Sequence, residues 1–146
     1  MKNVETLNDL VKINNDRVAG YDKAAMQTAD EDLRVLFTEL SAQSRLYSNE
    51  LTKFLRIEGD EPTEGTTFSG KIYRAWMDVK ASFGGDDRKG LLSSCEFGED
   101  AAQKAYHSAL AEKEITGDLR LLIENQKLAL KLAHDKVKAM RDLAVA

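Results

Sequence analysis

The chain is short of almost everything that interrupts a helix. It has one proline and nine glycines in 146 residues, and only 7% of it is aromatic. A sandwich or barrel needs frequent turn residues and β-branched strands, so this scarcity argues against both. The single cysteine, Cys95, excludes an internal disulfide framework and a multi-cysteine zinc site. Basic charge is not in excess. The formal net charge is −4, so no global positive field exists to hold nucleic acid or an anionic membrane. No run reaches transmembrane length, and the start, Met1 to Glu5, has no apolar leader core. A cytoplasmic protein is the expectation. What the chain does have is Ala, Leu, Glu and Lys, with 42% hydrophobic and 32% charged residues. That mixture favours helix. The length predicts one domain over residues 1–146, large enough to bury a core of its own.

Five amphipathic stretches can be read from the spacing of apolar residues. The first runs from about Thr6, a plausible N-cap, to Gln27, with Leu7, Leu10, Asn14, Val18, Tyr21 and Ala25 on one face. The second runs from about Asp30 to Arg56, through Leu33, Leu36, Leu40, Gln43, Tyr47, Leu51 and Phe54. A connector follows, with Pro62, Gly59, Gly65 and Gly70. A shorter helix, about Lys71 to Ser82, comes next. Phe68, Ile72, Trp76, Val79 and Phe83 share one side, and Gly84-Gly85 stops it. The fourth stretch spans about Asp87 to Glu112, through Leu91, Cys95, Glu99, Ala102, Tyr106 and Ala109. The fifth starts at Thr116-Gly117-Asp118 and carries Leu119, Leu122, Gln126, Leu130, Ala133, Val137 and Met140. The four long helices form two hairpins. A crossover over about residues 57–86 is long enough to travel the length of a bundle. The expected fold is an all-α, ferritin-like four-helix bundle.

The halves are similar to each other. Asp32-Leu33-Arg34 resembles Asp118-Leu119-Arg120, and Asn14…Tyr21 resembles Glu99…Tyr106, both pairs being seven apart. An internal duplication explains the match.

Each long stripe holds one polar residue near its middle: Asn14, Gln43, Glu99 and Gln126. A buried polar group without a partner costs a few kcal/mol, so the four are expected to meet in one layer. Tyr21 and Tyr106 are placed to bond across it. One reading is a self-satisfied layer that fixes helix register, as a buried Asn does in coiled coils. A second is a small-ligand site. A third is a dinuclear metal centre, which in bundles uses one Glu from each of two helices and Glu-x-x-His from each of the others. The chain lacks that pattern. Lys104 and Lys131 stand three residues before its two histidines, His107 and His134. Asn14, Gln43 and Gln126 are neutral, so Glu99 is the one candidate ligand for iron or another divalent metal. Glu39, Glu96 and Glu124 stand on adjoining faces.

Several segments together carry a family resemblance: Ile13-Asn14-Asn15-Asp16-Arg17-Val18-Ala19-Gly20-Tyr21, Ala42-Gln43-Ser44-Arg45, Arg74-Ala75-Trp76-Met77-Asp78, Gly98-Glu99-Asp100-Ala101-Ala102 and Ala133-His134-Asp135. They resemble an uncharacterised bacterial family of ferritin-like four-helix bundles that carry a domain of unknown function. The resemblance covers about Leu7 to Asp142. It implies a ferritin-like bundle in the bacterial cytoplasm and supplies no activity. Glu99…Tyr106 is similar to the single-Glu helix motif of di-iron proteins, while Asn14…Tyr21 keeps the Tyr and replaces the Glu.

The remaining chemistry-bearing residues have plain readings. Cys95 lies on an apolar stripe and reads as a small core residue. His134 reads as a boundary residue. Asp135 is its sequence neighbour, and adjacent helical residues do not face each other. His107 reads as exposed. No nucleophile–base grouping and no phosphate loop is present. No catalytic residue and no cofactor are expected, and the chemistry points to no nucleic acid and no membrane. The apolar face of the Trp76 helix is the expected surface for a homodimer or a protein partner. The expected role is non-enzymatic: interaction, oligomerisation or a stress-related function.

Overall fold

The computed structural model describes residues 2–57 and 88–144. Among the described residues there are four α-helices and no strand: α1 Lys2–Gln27, α2 Glu31–Ile57, α3 Arg88–Leu110 and α4 Gly117–Leu143. At about 1.5 Å per residue each helix is some 35–40 Å long. The expected short helix at Lys71 to Ser82 and the Trp76 surface lie outside the described residues.

The helices pair as two antiparallel hairpins. α1 packs mainly on α2, and α3 on α4; α1 also lies along α3, while α4 touches α2 only lightly. The first turn is local chemistry. The Thr28 amide donates to the Ala24 carbonyl at 3.0 Å, and the Asp30 amide donates to Thr28 Oγ1 at 3.1 Å. Acidic Glu31 and Asp32 then occupy the first turn of α2, where the helix dipole favours them. In the second turn Gly117 has a φ of +60°, a left-handed backbone that a residue with a Cβ rarely adopts. Arg120 closes this loop by donating from Nη1 to the Leu110 and Ile115 carbonyls at 3.1 and 3.2 Å.

Arg88 fixes how the hairpins meet. It donates to Asp30 at 3.0 Å and to both oxygens of Asp32 at 3.0 and 2.8 Å. These bonds hold the Asp32 carboxyl below its usual pKa range. They also place the start of α3 beside the start of α2, so α2 and α3 run parallel. The end of α2 at Ile57 and the start of α3 at Arg88 therefore lie toward opposite ends of the bundle.

One helix boundary differs from the sequence reading. α1 begins at Lys2, so Thr6 lies inside the helix and is not its N-cap. Nothing in Lys2 to Glu5 breaks a helix, and Glu5 complements the dipole of the first turn.

The core has two apolar halves. Toward the α3–α4 loop, Leu7, Leu10, Val11, Leu51, Leu55, Ile115, Leu119 and Ile123 pack together. Toward the α1–α2 turn, Leu33, Leu36, Phe37, Leu92, Cys95 and Val137 do the same, joined by Tyr21. Phe37 stacks on Tyr21 with ring centroids 5.6 Å apart. A polar layer lies between the halves. Cys95 is a buried residue of the core.

Truncating a core leucine leaves a cavity as well as losing transfer energy. Leu33→Ala and Leu51→Ala are expected to destabilise the fold by about 2–5 kcal/mol in urea titrations. Leu128, exposed on α4, should tolerate alanine within about 0.5 kcal/mol.

Candidate functional site

The polar layer is built around a charge that belongs to the protein. Arg17, from the middle of α1, is 1% exposed, and Glu99, from α3, is fully buried. The guanidinium makes a two-pronged bond to the carboxylate: Nε donates to Oε1 and Nη2 to Oε2, both at 2.8 Å. Tyr21 donates its hydroxyl to Glu99 Oε2 at 2.7 Å. Arg17 Nη1 turns the other way, toward α2. It donates to the Leu40 carbonyl at 3.2 Å and to Ser44 Oγ at 2.8 Å. The Arg17 guanidinium carbon also stands 5.1 Å from the centre of the Tyr21 ring, over its face.

From Ser44 the bonds continue in one direction. Ser44 donates to Asn14 Oδ1 at 2.9 Å. Asn14 Nδ2 donates to the Leu10 carbonyl and to the Tyr106 hydroxyl, each at 2.9 Å. Tyr106 donates to Gln126 Oε1 at 2.6 Å. Gln126 Nε2 then donates to Glu50 Oε1 at 3.1 Å and to the Tyr47 carbonyl at 3.4 Å. Every dipole therefore points from the arginine cation toward the Glu50 carboxylate, an alignment in which each bond strengthens the next.

Burial alone would pull the Arg17 pKa down, but the Glu99 charge and its hydrogen bonds more than offset this and leave it raised. Burial, then the Glu99 charge, push the Tyr21 pKa well above its ordinary value. Burial raises Tyr106 as well. Both phenols hold their protons as donors.

The structure brings together five of the six residues expected in the layer: Asn14, Glu99, Gln126, Tyr21 and Tyr106. It does not bring Gln43 in. That residue is half-buried beside the Tyr47 hydroxyl, and its Oε1 has no hydrogen-bond partner. Ser44 takes the α2 position instead. The buried residues of α2 include Leu33, Ser44 and Leu55, at steps of eleven. That is the period of a nearly straight helix, and a stripe drawn at 3.5 residues per turn drifts off it. Arg17 was missed because a charged residue reads as solvent-facing. Its position gave the signal, since 10, 14, 17, 21 and 24 form one inward face of α1.

The tyrosine bonds are reciprocal. Tyr21 of α1 bonds Glu99 of α3, and Tyr106 of α3 bonds Asn14 of α1. This is the exchange expected if two similar hairpins face each other. Arg17 has Ala102 at its equivalent position, so the cation enters from one half only.

These residues do not fit a dinuclear metal centre. Two divalent ions need several carboxylates, whereas the layer offers Glu99, already paired with Arg17, Glu50 at its half-buried edge, already bonded by Gln126, and neutral Asn14, Ser44 and Gln126. The buried side-chain atoms without a hydrogen bond, among the described residues, are on Asn3, Asn8, Gln43 and Glu96, all outside the bonded layer. Outside the core, α1 and α2 leave an open groove of about 490 Å³ lined by Asn15, Val18, Asp22, Arg45 and Ser48. Arg45 and Ser41 already occupy the Asp22 carboxylate.

His107 is exposed. His134 is half-buried, and here the sequence reading needs correction. Its Nδ1 lies 3.0 Å from Asp135 Oδ1, so the adjacent carboxylate does reach it.

Removing one partner of a buried pair strands the other charge. Arg17→Met is expected to cost about 3–5 kcal/mol, and Arg17→Met with Glu99→Leu to recover most of that loss, both read from urea midpoints. The tyrosines predict an alkaline limit. Their folded pKa is raised, so the stability they confer is complete below the unfolded value of 10.0 and is lost as pH rises beyond it. Urea midpoints should therefore fall above pH ~10, and Tyr21→Phe should flatten the fall.

No curated protein matches the chain. A family profile does. Residues 2–112 match the family described as Domain of unknown function (DUF2383), a span that holds α1, α2, α3 and every residue of the layer except Gln126. The chain belongs to the DUF2383 family.

Proposed function

We propose that this protein is a non-enzymatic, ferritin-like helical bundle of the bacterial cytoplasm that acts through its surface, by association with a protein partner or with further copies of itself. The observation that carries the reading is the Arg17–Glu99 pair. In a carboxylate metalloprotein the charge between the helices comes from bound ions. Here a guanidinium supplies it, held by two bonds of 2.8 Å. The donors and acceptors of the layer are spent on one another, which also argues against a ligand bound in its midst. The layer's role is then to fix helix register and partner choice.

A second observation favours action at the surface. Leu121, Leu128 and Leu132 of α4 are 56%, 60% and 64% exposed. They lie on the opposite side of α4 from buried Leu119, Ile123, Leu130 and Val137. Exposed apolar side chains aligned on one helix face mark interaction surfaces more often than scattered ones do.

Oxygen uptake after adding Fe²⁺ in air tests the non-enzymatic reading. The rate is expected to match protein-free buffer, and a protein-dependent rate would overturn the proposal. Sedimentation of the full chain tests the surface. Association is expected to weaken in the Leu128→Glu, Leu132→Glu double variant, with its helical content unchanged.

A further inference from the structure

A second group of polar side chains lies outside the layer, where α3 and α4 face each other nearer the α1–α2 turn. Glu96 and Asp100 stand four residues apart on one face of α3. His134 of α4 meets them, with Nε2 at 2.6 Å from Asp100 Oδ1. One donor atom from each of the three residues lies within 4.8 Å of the others. We propose that Glu96, Asp100 and His134 form a binding site for a divalent transition ion of the zinc type.

Four features carry the assignment. The first is the donor set. One imidazole and two carboxylates are three protein ligands, and Asp100 is half exposed, so a water can complete a tetrahedron. Zinc bonds of about 2.0–2.2 Å put donors roughly 3.3 Å apart, so small side-chain rotations close the site.

The second is the imidazole's orientation. Asp135 lies 3.0 Å from Nδ1 and is itself held by Lys131 at 3.1 Å. The ring is thereby held with its Nε2 edge toward Asp100. Metal-bound histidines are oriented by this kind of outer carboxylate.

The third is Glu96. Its Oε2 is shielded from solvent and is held by Arg141, so a cation already lies at this corner of the cluster. The fourth is that Arg141 has somewhere else to go, since it already donates to Asp142 at 2.8 Å and 3.1 Å. A dication in the site would balance the two carboxylates and release Arg141 to Asp142. The histidine ligand selects zinc-like ions over calcium and magnesium, which take oxygen donors. The site is separate from the Arg17–Glu99 layer and does not depend on how that layer is read.

Calorimetric titration of the full chain with Zn²⁺, with Mg²⁺ as the comparison ion, tests the proposal. One Zn²⁺ per chain is expected, with no Mg²⁺ heat. His134→Ala and Asp100→Asn should each weaken Zn²⁺ at least tenfold, and Asp135→Asn should weaken it about tenfold through the imidazole. Arg141→Ala should tighten binding by removing the competing cation, a gain that a purely structural cluster would not give. His107→Ala should change nothing. No saturable Zn²⁺ binding, or binding unaltered by both His134→Ala and Asp100→Asn, would overturn the site. Asp100→Asn is isosteric at a half-exposed position, so it decides the matter should His134→Ala fail to fold.

Discussion

The structure turns on one constraint: the Glu99 carboxyl sits fully buried in the middle of a bundle. Leaving it unpaired there would cost several kcal/mol. The fold answers with Arg17, and that choice sets much else. The arginine must come from α1 at the height of Glu99 on α3. Tyr21 must turn its hydroxyl to the same carboxylate, and Ser44 of α2 must take the guanidinium's remaining edge. The apolar halves pack on either side of these polar groups. A buried ion pair of this kind is weak evidence for stability and better evidence for specificity.

The second half of the layer extends the first. Asn14 and Tyr106 repeat, across the two hairpins, the partnership of Glu99 and Tyr21. The repeat is chemical as well as geometric, with one acceptor exchanged for an amide. Asn14 can both donate and accept, so it links Ser44 to Tyr106, where a carboxylate would only have accepted. Its neutrality also leaves Glu99 as the layer's fully buried carboxylate, which one arginine can balance. The same substitution that lowers the charge of the layer makes it a continuous chain of hydrogen bonds.

Much of this was legible in the sequence. The long helices follow from apolar spacing and few breakers. Asn14, Glu99 and Gln126 were readable as inward-facing because leucines, alanines and tyrosines flank them at helical intervals. Gln43 was misplaced because the α2 stripe was drawn at 3.5 residues per turn while the helix runs nearer 3.67, so Ser44 is the residue that arrives inside. Arg17 was hidden by its type. Its place on the inward face with Leu10, Asn14, Tyr21 and Ala24 was the local signal, but the partner that makes a buried charge acceptable, Glu99, is 82 residues away. Contact between His134 and Asp135 was hidden for a related reason. Helical neighbours diverge at Cβ, but the Asp135 carboxylate still reaches the neighbouring ring.

The central claim is that a protein cation, and not a bound metal, holds Glu99. Crystals of the full chain grown with Mn²⁺ or Fe²⁺, measured by anomalous scattering, test it directly. The account predicts continuous density from the Arg17 guanidinium to Glu99 and no anomalous peak at the Glu99 carboxylate. An anomalous peak at metal-ligand distance from the Glu99 carboxylate, about 2.0–2.2 Å, with Arg17 turned away, would contradict it.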